Sequence, residues 1–219
     1  MPKVSVIIST WSQNDFRSAV MRESINYLLE TAPEAEIIVI DNGGNLSDSI
    51  FLLNLCEEKK IACYIRNRNN MSFGYARNQG LDAASGEYIV IADNDILYKQ
   101  GWLEWCVKIL EKADDKYMVT PLRTDRQHRN VRHWKGLIMI DGETYLTNTR
   151  AGSNCWMMKR KQYENVGKFE QHRIAGSHWN NKAQDKGYVF ITREKDALAQ
   201  DGAFKKGYNI RSEEFSRIL

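Results

Sequence analysis

What most constrains this chain is a recurring unit: a short, almost unbroken aliphatic run followed at once by small polar or turn-forming residues. Val4-Ser5-Val6-Ile7-Ile8 runs into Ser9-Thr10, and Glu36-Ile37-Ile38-Val39-Ile40 runs into Asp41-Asn42-Gly43-Gly44. Tyr88-Ile89-Val90-Ile91-Ala92 runs into Asp93-Asn94-Asp95, and residues 61–65 supply a further run. A run without a polar alternate has no solvated face, so it belongs in a sheet covered on both sides, as parallel sheets are. Helical spacing fills the gaps. Residues 17–29 place Val20, Ser24, Tyr27 and Leu28 on or near one face. Ser47 is expected to cap a helix through 58, and Ser72 one through Ala76, Gln79 and Ala83 that Gly86 closes. The alternation predicts an α/β fold, a mixed but mainly parallel central sheet flanked by helices.

Beyond residue 98 the texture changes. A helix is expected over 102–110, a strand over 117–120 ending at Pro121, and a hairpin over 137–145 turning at Asp141-Gly142. A strand over 152–158, a helix over 159–166, a polar segment over 170–186 and a strand over 188–192 follow. Arg123, Arg126, His128, Arg129, Arg132, His133 and Lys135 make a basic stretch, read either as a solvated loop or as a loop over an anionic ligand. Neither a repeat nor a low-complexity linker interrupts the chain, so residues 1–219 are taken as a single domain with a first half, 1–98, and a second, 99–219.

A chain of 219 residues with 42% hydrophobic content can bury a core without disulfides. The net charge of +3 gives no footprint for a nucleic-acid partner and is compatible with an anionic small substrate. Cys56, Cys63, Cys106 and Cys155 form no C-x-x-C pair, which points to reduced, mostly buried thiols. No apolar stretch approaches the roughly 20 residues of a membrane helix. Met1-Pro2-Lys3 leads straight into the first strand without a cleavage-type site, so no signal peptide is expected. These features predict a cytoplasmic protein; peripheral contact with the inner membrane face and the oligomeric state are left open.

In an open α/β sheet, ligands bind beyond the carboxyl ends of the strands. Parallel neighbours would bring Ser9-Thr10, Asp41-Asn42 and Asp93-Asn94-Asp95 to one crevice. Hard divalent cations such as Mn²⁺ or Mg²⁺ take carboxylate oxygens, and Asp93 and Asp95, one residue apart after a strand, offer them. Such a cation neutralises charge growing on a departing diphosphate. Alternatively both are turn formers satisfying local backbone donors, and the same choice holds for Asp41, which can accept from a base N–H. Dinucleotide and P-loop glycine patterns are absent from the sequence.

These segments, together with Asn69-Asn70-Met71-Ser72-Phe73-Gly74-Tyr75-Ala76-Arg77-Asn78-Gln79-Gly80, resemble family 2 glycosyltransferases of the GT-A fold in order and spacing. The likeness continues more loosely through residues 152–160 and Val166-Gly167-Lys168-Phe169. It implies a nucleotide-binding half (1–98) and an acceptor-binding half (99–219). A nucleoside-diphosphate sugar, by preference a UDP-sugar, would give its sugar with inversion to a hydroxyl of a glycan or lipid-linked acceptor, in polysaccharide biosynthesis. The donor would meet Ser9, Thr10, Asp41, Arg77, Asn78, Asp93 and Asn94, with Arg77 by the diphosphate and Asp41 on the base. Asp95, helped by Asp93, would hold the metal.

Two departures qualify the resemblance. The acidic pair that supplies the base in inverting members is replaced by Gly176-Ser177-His178-Trp179. His178 falls at that place, as a base or as a metal ligand, with Asp185 and Glu170 as lesser candidates. Trp179 is read either as an acceptor-stacking ring or as packing. A metal-ligating His after the last strand is replaced by Gln200-Asp201-Gly202, where Asp201 is the candidate. The missing pair also raises the alternative of a catalytically impaired nucleotide-sugar-binding module acting with a partner. A third reading is nucleotidyl transfer.

Overall fold

The computed structural model describes residues 3–121, 134–150, 155–172, 175–193 and 199–201. The basic stretch from Arg123 to His133 and the Lys135 side chain lie outside these residues. The elements run β1 (Val4–Thr10), α1 (Asp15–Thr31), β2 (Glu36–Asp41), α2 (Leu46–Glu57), β3 (Cys63–Arg66), α3 (Phe73–Ala83), β4 (Tyr88–Ala92) and β5 (Ile96–Tyr98). They continue with α4 (Trp102–Lys112), β6 (Tyr117–Val119), β7 (Trp134–Ile140), β8 (Glu143–Asn148), β9 (Cys155–Lys159), α5 (Arg160–Val166), α6 (Ala175–Asp185), β10 (Val189–Arg193) and β11 (Ala199–Asp201).

The main sheet has the order β3-β2-β1-β4-β9-β6-β10-β8-β7. Its first four strands are mutually parallel, β9 is antiparallel to both β4 and β6, and β6 and β10 again run parallel. Side chains alternate across each strand, and both faces are apolar. Val6, Ile8, Val39 and Val90 pack with Met21 and Ile25 of α1 and Leu52 of α2; Trp102, Cys106 and Leu110 of α4 extend that core. Ile7, Ile38, Ile40, Ile89 and Ile91 pack on the opposite face with Ala76 of α3 and with Trp156, Phe169 and Trp179. The sequence's unbroken apolar strands are thus explained by helices on both sides.

Local expectations differ in four places. Asn45, whose side chain accepts from the Asp48 N–H at 2.9 Å, caps α2 instead of Ser47. Gly86 does not close α3, which ends at Ala83; its N–H donates to Ser5 Oγ at 2.7 Å. Part of the polar segment folds as α6, because Ala175, Gly176, Trp179, Asn180 and Ala183 fall on one buried stripe although Trp179 is its sole large apolar residue. The short strands β5 and β11 form a separate antiparallel pair. Asp141 and Gly142 (φ 54° and 81°) make the left-handed turn anticipated for the β7–β8 hairpin. Cys106 and Cys155 are buried, Cys56 and Cys63 half-buried, and all four are free thiols. No described helix is long and apolar enough to cross a membrane.

Candidate active site at the carboxyl edge of the sheet

Strand register gathers the polar ends. Thr10 pairs with Asp41, and Ile8 with Ala92, so Ser9, Thr10, Asp41 and Asp93 end level at one edge. Thr10 is buried, and its carbonyl accepts from the Asn42 N–H at 2.8 Å. Asn42 fastens the loop ahead of α3. Its amide donates to Asn70 Oδ1 (2.9 Å) and the Ser72 carbonyl (3.2 Å), and its Oδ1 accepts from Asn67 and the Met71 N–H. Gly43, at φ 84°, lies so close to this loop that a Cβ would stand 2.6 Å from the Asn69 carbonyl carbon. Ser72 caps α3 as expected, accepting from the Tyr75 N–H. Asn67 and Gln79 exchange side-chain amide bonds at 2.7 and 3.1 Å. The Asn-rich stretch is thereby a brace that sets where α3 begins.

Asp41 is 1% exposed, and its carboxylate accepts from four donors. Oδ1 takes the Gly44 N–H at 2.7 Å; Oδ2 takes Ser49 Oγ at 2.5 Å, Tyr64 Oη at 3.1 Å and Arg66 Nη1 at 2.9 Å. Three of the four donors crowd Oδ2, while Oδ1 takes the Gly44 N–H alone and keeps acceptor capacity. The carboxylate fixes the turn into α2 through Gly44 and Ser49.

Asp93, Asn94 and Asp95 form the turn from β4 into β5, and all three are half-buried. Arg77 of α3 lies underneath, fully buried, and donates from Nη2 to Asp93 Oδ1 at 2.8 Å. Its guanidinium carbon stands 3.4 Å from the Phe73 ring centroid and 5.3 Å from that of Trp156. Nε and Nη1 have no hydrogen-bond acceptor among the described residues, so ring faces supply part of what water would. Burial pushes this guanidinium down to about 10 despite the Asp93 carboxylate, which leaves it charged at neutral pH. The placement expected beside the diphosphate is replaced by one beneath Asp93, because a side chain with no exposed surface reaches a crevice ligand only through its neighbour.

The side chain of Asp201 lies outside the described residues. Its backbone pairs with Ile96, the residue after Asp95, through the β11–β5 ladder.

Three other candidates are relocated. Asn78 binds protein backbone rather than the crevice: Nδ2 donates to the Phe169 carbonyl at 2.8 Å, and Oδ1 accepts the Phe169 N–H at 3.0 Å. Trp179 is 1% exposed, stacks on Phe169 and Trp156, and donates from Nε1 to the Gly167 carbonyl at 2.8 Å. The packing alternative fits it, since a ring that is 1% exposed offers no face to a sugar. Asp185 is exposed at the last position of α6, seven residues and so roughly 10 Å along the helix from His178.

His178 sits in the first turns of α6, and two residues gather round it. Its Nδ1 lies 2.8 Å from Glu170 Oε2 and 3.0 Å from His172 Nε2, while the latter is 2.7 Å from the same Glu170 oxygen. The His178 and His172 ring nitrogens hold the Glu170 carboxyl below its ordinary range. His172 escaped the sequence reading altogether, because a lone loop His carries no pattern until the chain folds back. Gly74 lets this segment approach: a Cβ there would stand 1.8 Å from the Glu170 carbonyl oxygen.

The doubly covered sheet, with level strand ends and a half-buried acidic turn, superposes on solved GT-A glycosyltransferases and shares their fold. A mannosyltransferase from Pyrobaculum calidifontis in complex with GDP-Man and Mn²⁺ superposes with a TM-score of 0.74, covering 99% of this chain and 60% of that one at 22% identity. GalNAc-T7 with UDP, GalNAc and Mn²⁺ superposes at 0.67, covering 91% and 43% at 14% identity. The glycosyl transferase family 2 model matches residues 5–176, and the chain belongs to that family. An uncharacterized glycosyltransferase of Haemophilus influenzae is 32% identical over 113 residues, 52% of this chain and 34% of that protein. The cholesterol galactosyltransferase of Borreliella burgdorferi is 30% identical over 102 residues, 47% of this chain and 27% of that protein. The matched stretch thus covers about a third or less of these two relatives.

Proposed function

We propose that this chain transfers a sugar from a nucleoside-diphosphate donor, bound at the carboxyl edge of β1, β2 and β4, to a hydroxyl acceptor. The observation that carries this reading is the Asp93-Asn94-Asp95 turn: half-buried, at the strand ends, and held from beneath by a buried arginine. The donor set fits a hard cation, since Asp95 and Asp93 offer carboxylate oxygens and the β11–β5 register brings the backbone of Asp201 beside Asp95. These three residues would hold Mn²⁺ or Mg²⁺, which when bound supplies Lewis-acid stabilisation of the leaving diphosphate. Arg77 fixes the Asp93 carboxylate, and the Asn42 and Asn67 brace keeps α3 and the strand ends in register around the donor. Glycan or lipid-linked hydroxyls are the acceptor class. UDP-sugars are the first donors to test, with GDP-sugars beside them. Inversion at the anomeric carbon rests on family membership.

The test is calorimetry of UDP and GDP with and without Mn²⁺, followed by turnover of labelled donor over an acceptor panel. Metal-dependent binding and release of a nucleoside diphosphate are the expected results. Asp95→Ala should lower turnover by several kcal/mol in barrier, roughly 10³-fold. Absence of nucleotide affinity with either metal overturns the reading, and release of pyrophosphate would make the protein a nucleotidyltransferase.

A further inference from the structure

The cluster at the start of α6 has a geometry that transfer chemistry at the aspartate turn does not use. Glu170 Oε2, His172 Nε2 and His178 Nδ1 form a triangle with sides of 2.7, 2.8 and 3.0 Å. Hydrogen bonding accounts for only part of it. An ionised carboxylate oxygen donates nothing, so its two sides need an N–H from each imidazole. The third side then sets N–H against N–H. If either ring instead presents a lone pair, one hydrogen is left to serve two sides. No protonation state supplies three well-directed hydrogens. Three lone pairs converging on one cation have no such conflict: ligand atoms held at about 2.1 Å lie about 3.0 Å apart at right angles and about 3.4 Å apart in a tetrahedral site, so a small opening of the trio admits the ion.

We propose that Glu170, His172 and His178 form a divalent transition-metal site, distinct from the aspartate turn and selective for Zn²⁺ over Mg²⁺. Two imidazole nitrogens and one carboxylate oxygen are a borderline ligand set that suits Zn²⁺, whereas Mg²⁺ asks for oxygen. Three protein ligands leave a further coordination position, and the trio is accessible: the side chains are 48%, 36% and 41% exposed in sequence order. Water or a hydroxyl oxygen is the ligand class that position takes. The fold delivers the trio to the same sheet edge as the aspartate turn. β10 runs parallel to β6, and β6 and β4 both run antiparallel to β9, so α6, which leads into β10, begins at the carboxyl edge. Gly176, two residues before His178, faces Arg77 Nη1, with a Cβ there 3.9 Å away. Arg77 in turn holds Asp93. Ligation through Nδ1 puts the proton of a neutral His178 ring on Nε2, so the metal-ligand role replaces the role of base at this residue.

The inference stands apart from sugar transfer, and its test needs no donor. The full chain, stripped with a chelator, is titrated with Zn²⁺ alone and its metal content counted after gel filtration. At least one Zn²⁺ per chain is expected in the wild type, and one is retained in Asp95→Ala. The His172→Ala/His178→Ala double variant should lose more affinity than the roughly 10–100-fold that removal of an outer-shell partner costs. Circular dichroism checks that the variant folds. X-ray absorption of Zn²⁺-loaded wild type gives a readout independent of any variant: nitrogen and oxygen neighbours near 2.0–2.1 Å with imidazole scattering are expected, whereas sulfur near 2.3 Å would place the ion on cysteine. Equal affinity in wild type and double variant, loss of the ion in Asp95→Ala, sulfur ligation, or no bound Zn²⁺ each overturn the proposal.

Discussion

Two arginine–aspartate pairs flank the crevice, and they are built the opposite way round. At the end of β2 the aspartate is buried and the arginine open: side-chain exposure is 1% for Asp41 and 38% for Arg66. At the end of β4 the arginine is buried and the aspartate open, with 1% for Arg77 and 20% for Asp93. The separations are nearly equal, 2.9 and 2.8 Å, so distance does not distinguish them. What differs is which partner keeps contact with solvent. Asp41 takes four donors and Arg66 is an accessory to it, whereas Arg77 has two nitrogens without a hydrogen-bond acceptor among the described residues, beneath an accessible carboxylate. The first pair fixes a turn. The second presents an anionic edge on a rigid base, as the proposed cation site would need.

Removing each arginine is the sharpest way to break this contrast. Arg77→Ala strips the cation from a buried pair and opens a hole beneath Phe73 and Trp156, so a loss of about 3–5 kcal/mol in urea unfolding is expected. A loss below about 1 kcal/mol would show that the buried guanidinium holds nothing in place. Asn78→Ala, the adjacent residue of α3, deletes both bonds to the Phe169 backbone and should cost about 2–3 kcal/mol by the same measurement. It separates anchoring of α3 from support of Asp93, and an unchanged midpoint would contradict the backbone clamp. Arg66→Ala leaves Asp41 three of its donors and should cost only about 1 kcal/mol. Equal losses in Arg66→Ala and Arg77→Ala would erase the asymmetry altogether.

The smallest effect concerns the other end of β2. Burial pushes Glu36 up, but hydrogen bonds from Ser5, Ser85 and Lys3 outweigh it and hold the carboxyl at about 2, below the ordinary 4.5. A depressed folded-state value means stability that is present above pH 4.5 and lost as pH falls from there towards 2. Glu36→Gln should flatten the stability profile in that window and leave neutral-pH transfer unchanged. Parallel acid-unfolding curves for the two proteins would refute the assignment. The side chain is partly solvated, so the change is modest.

Much of the fold of residues 1–98 is legible in the sequence for a physical reason: its information is local. Uninterrupted aliphatic runs required cover on both faces, and turn residues at their ends marked the edge where polar groups collect. The Asn69–Gly80 motif was recognised as a pattern, but its meaning was not. Asn42, Asn67 and Gln79 act by bracing one another across 12 and 25 positions, and no window along the chain displays that. The partners of Asn78 and Trp179, the Phe169 backbone and the Gly167 carbonyl, are equally invisible to a local reading. An amide and an indole suit either a ligand or a buried partner, and burial decides between them.

The sequence by itself determined the α/β class, the family, and the three polar strand ends that gather at one edge, because hydrophobic periodicity and turn chemistry are written residue by residue. Tertiary structure alone decided which charge of each pair is open, which aromatic is sealed, and that Glu170, His172 and His178 meet. Those outcomes depend on desolvation and on chain segments folding back upon each other, quantities that exist only once the core has closed.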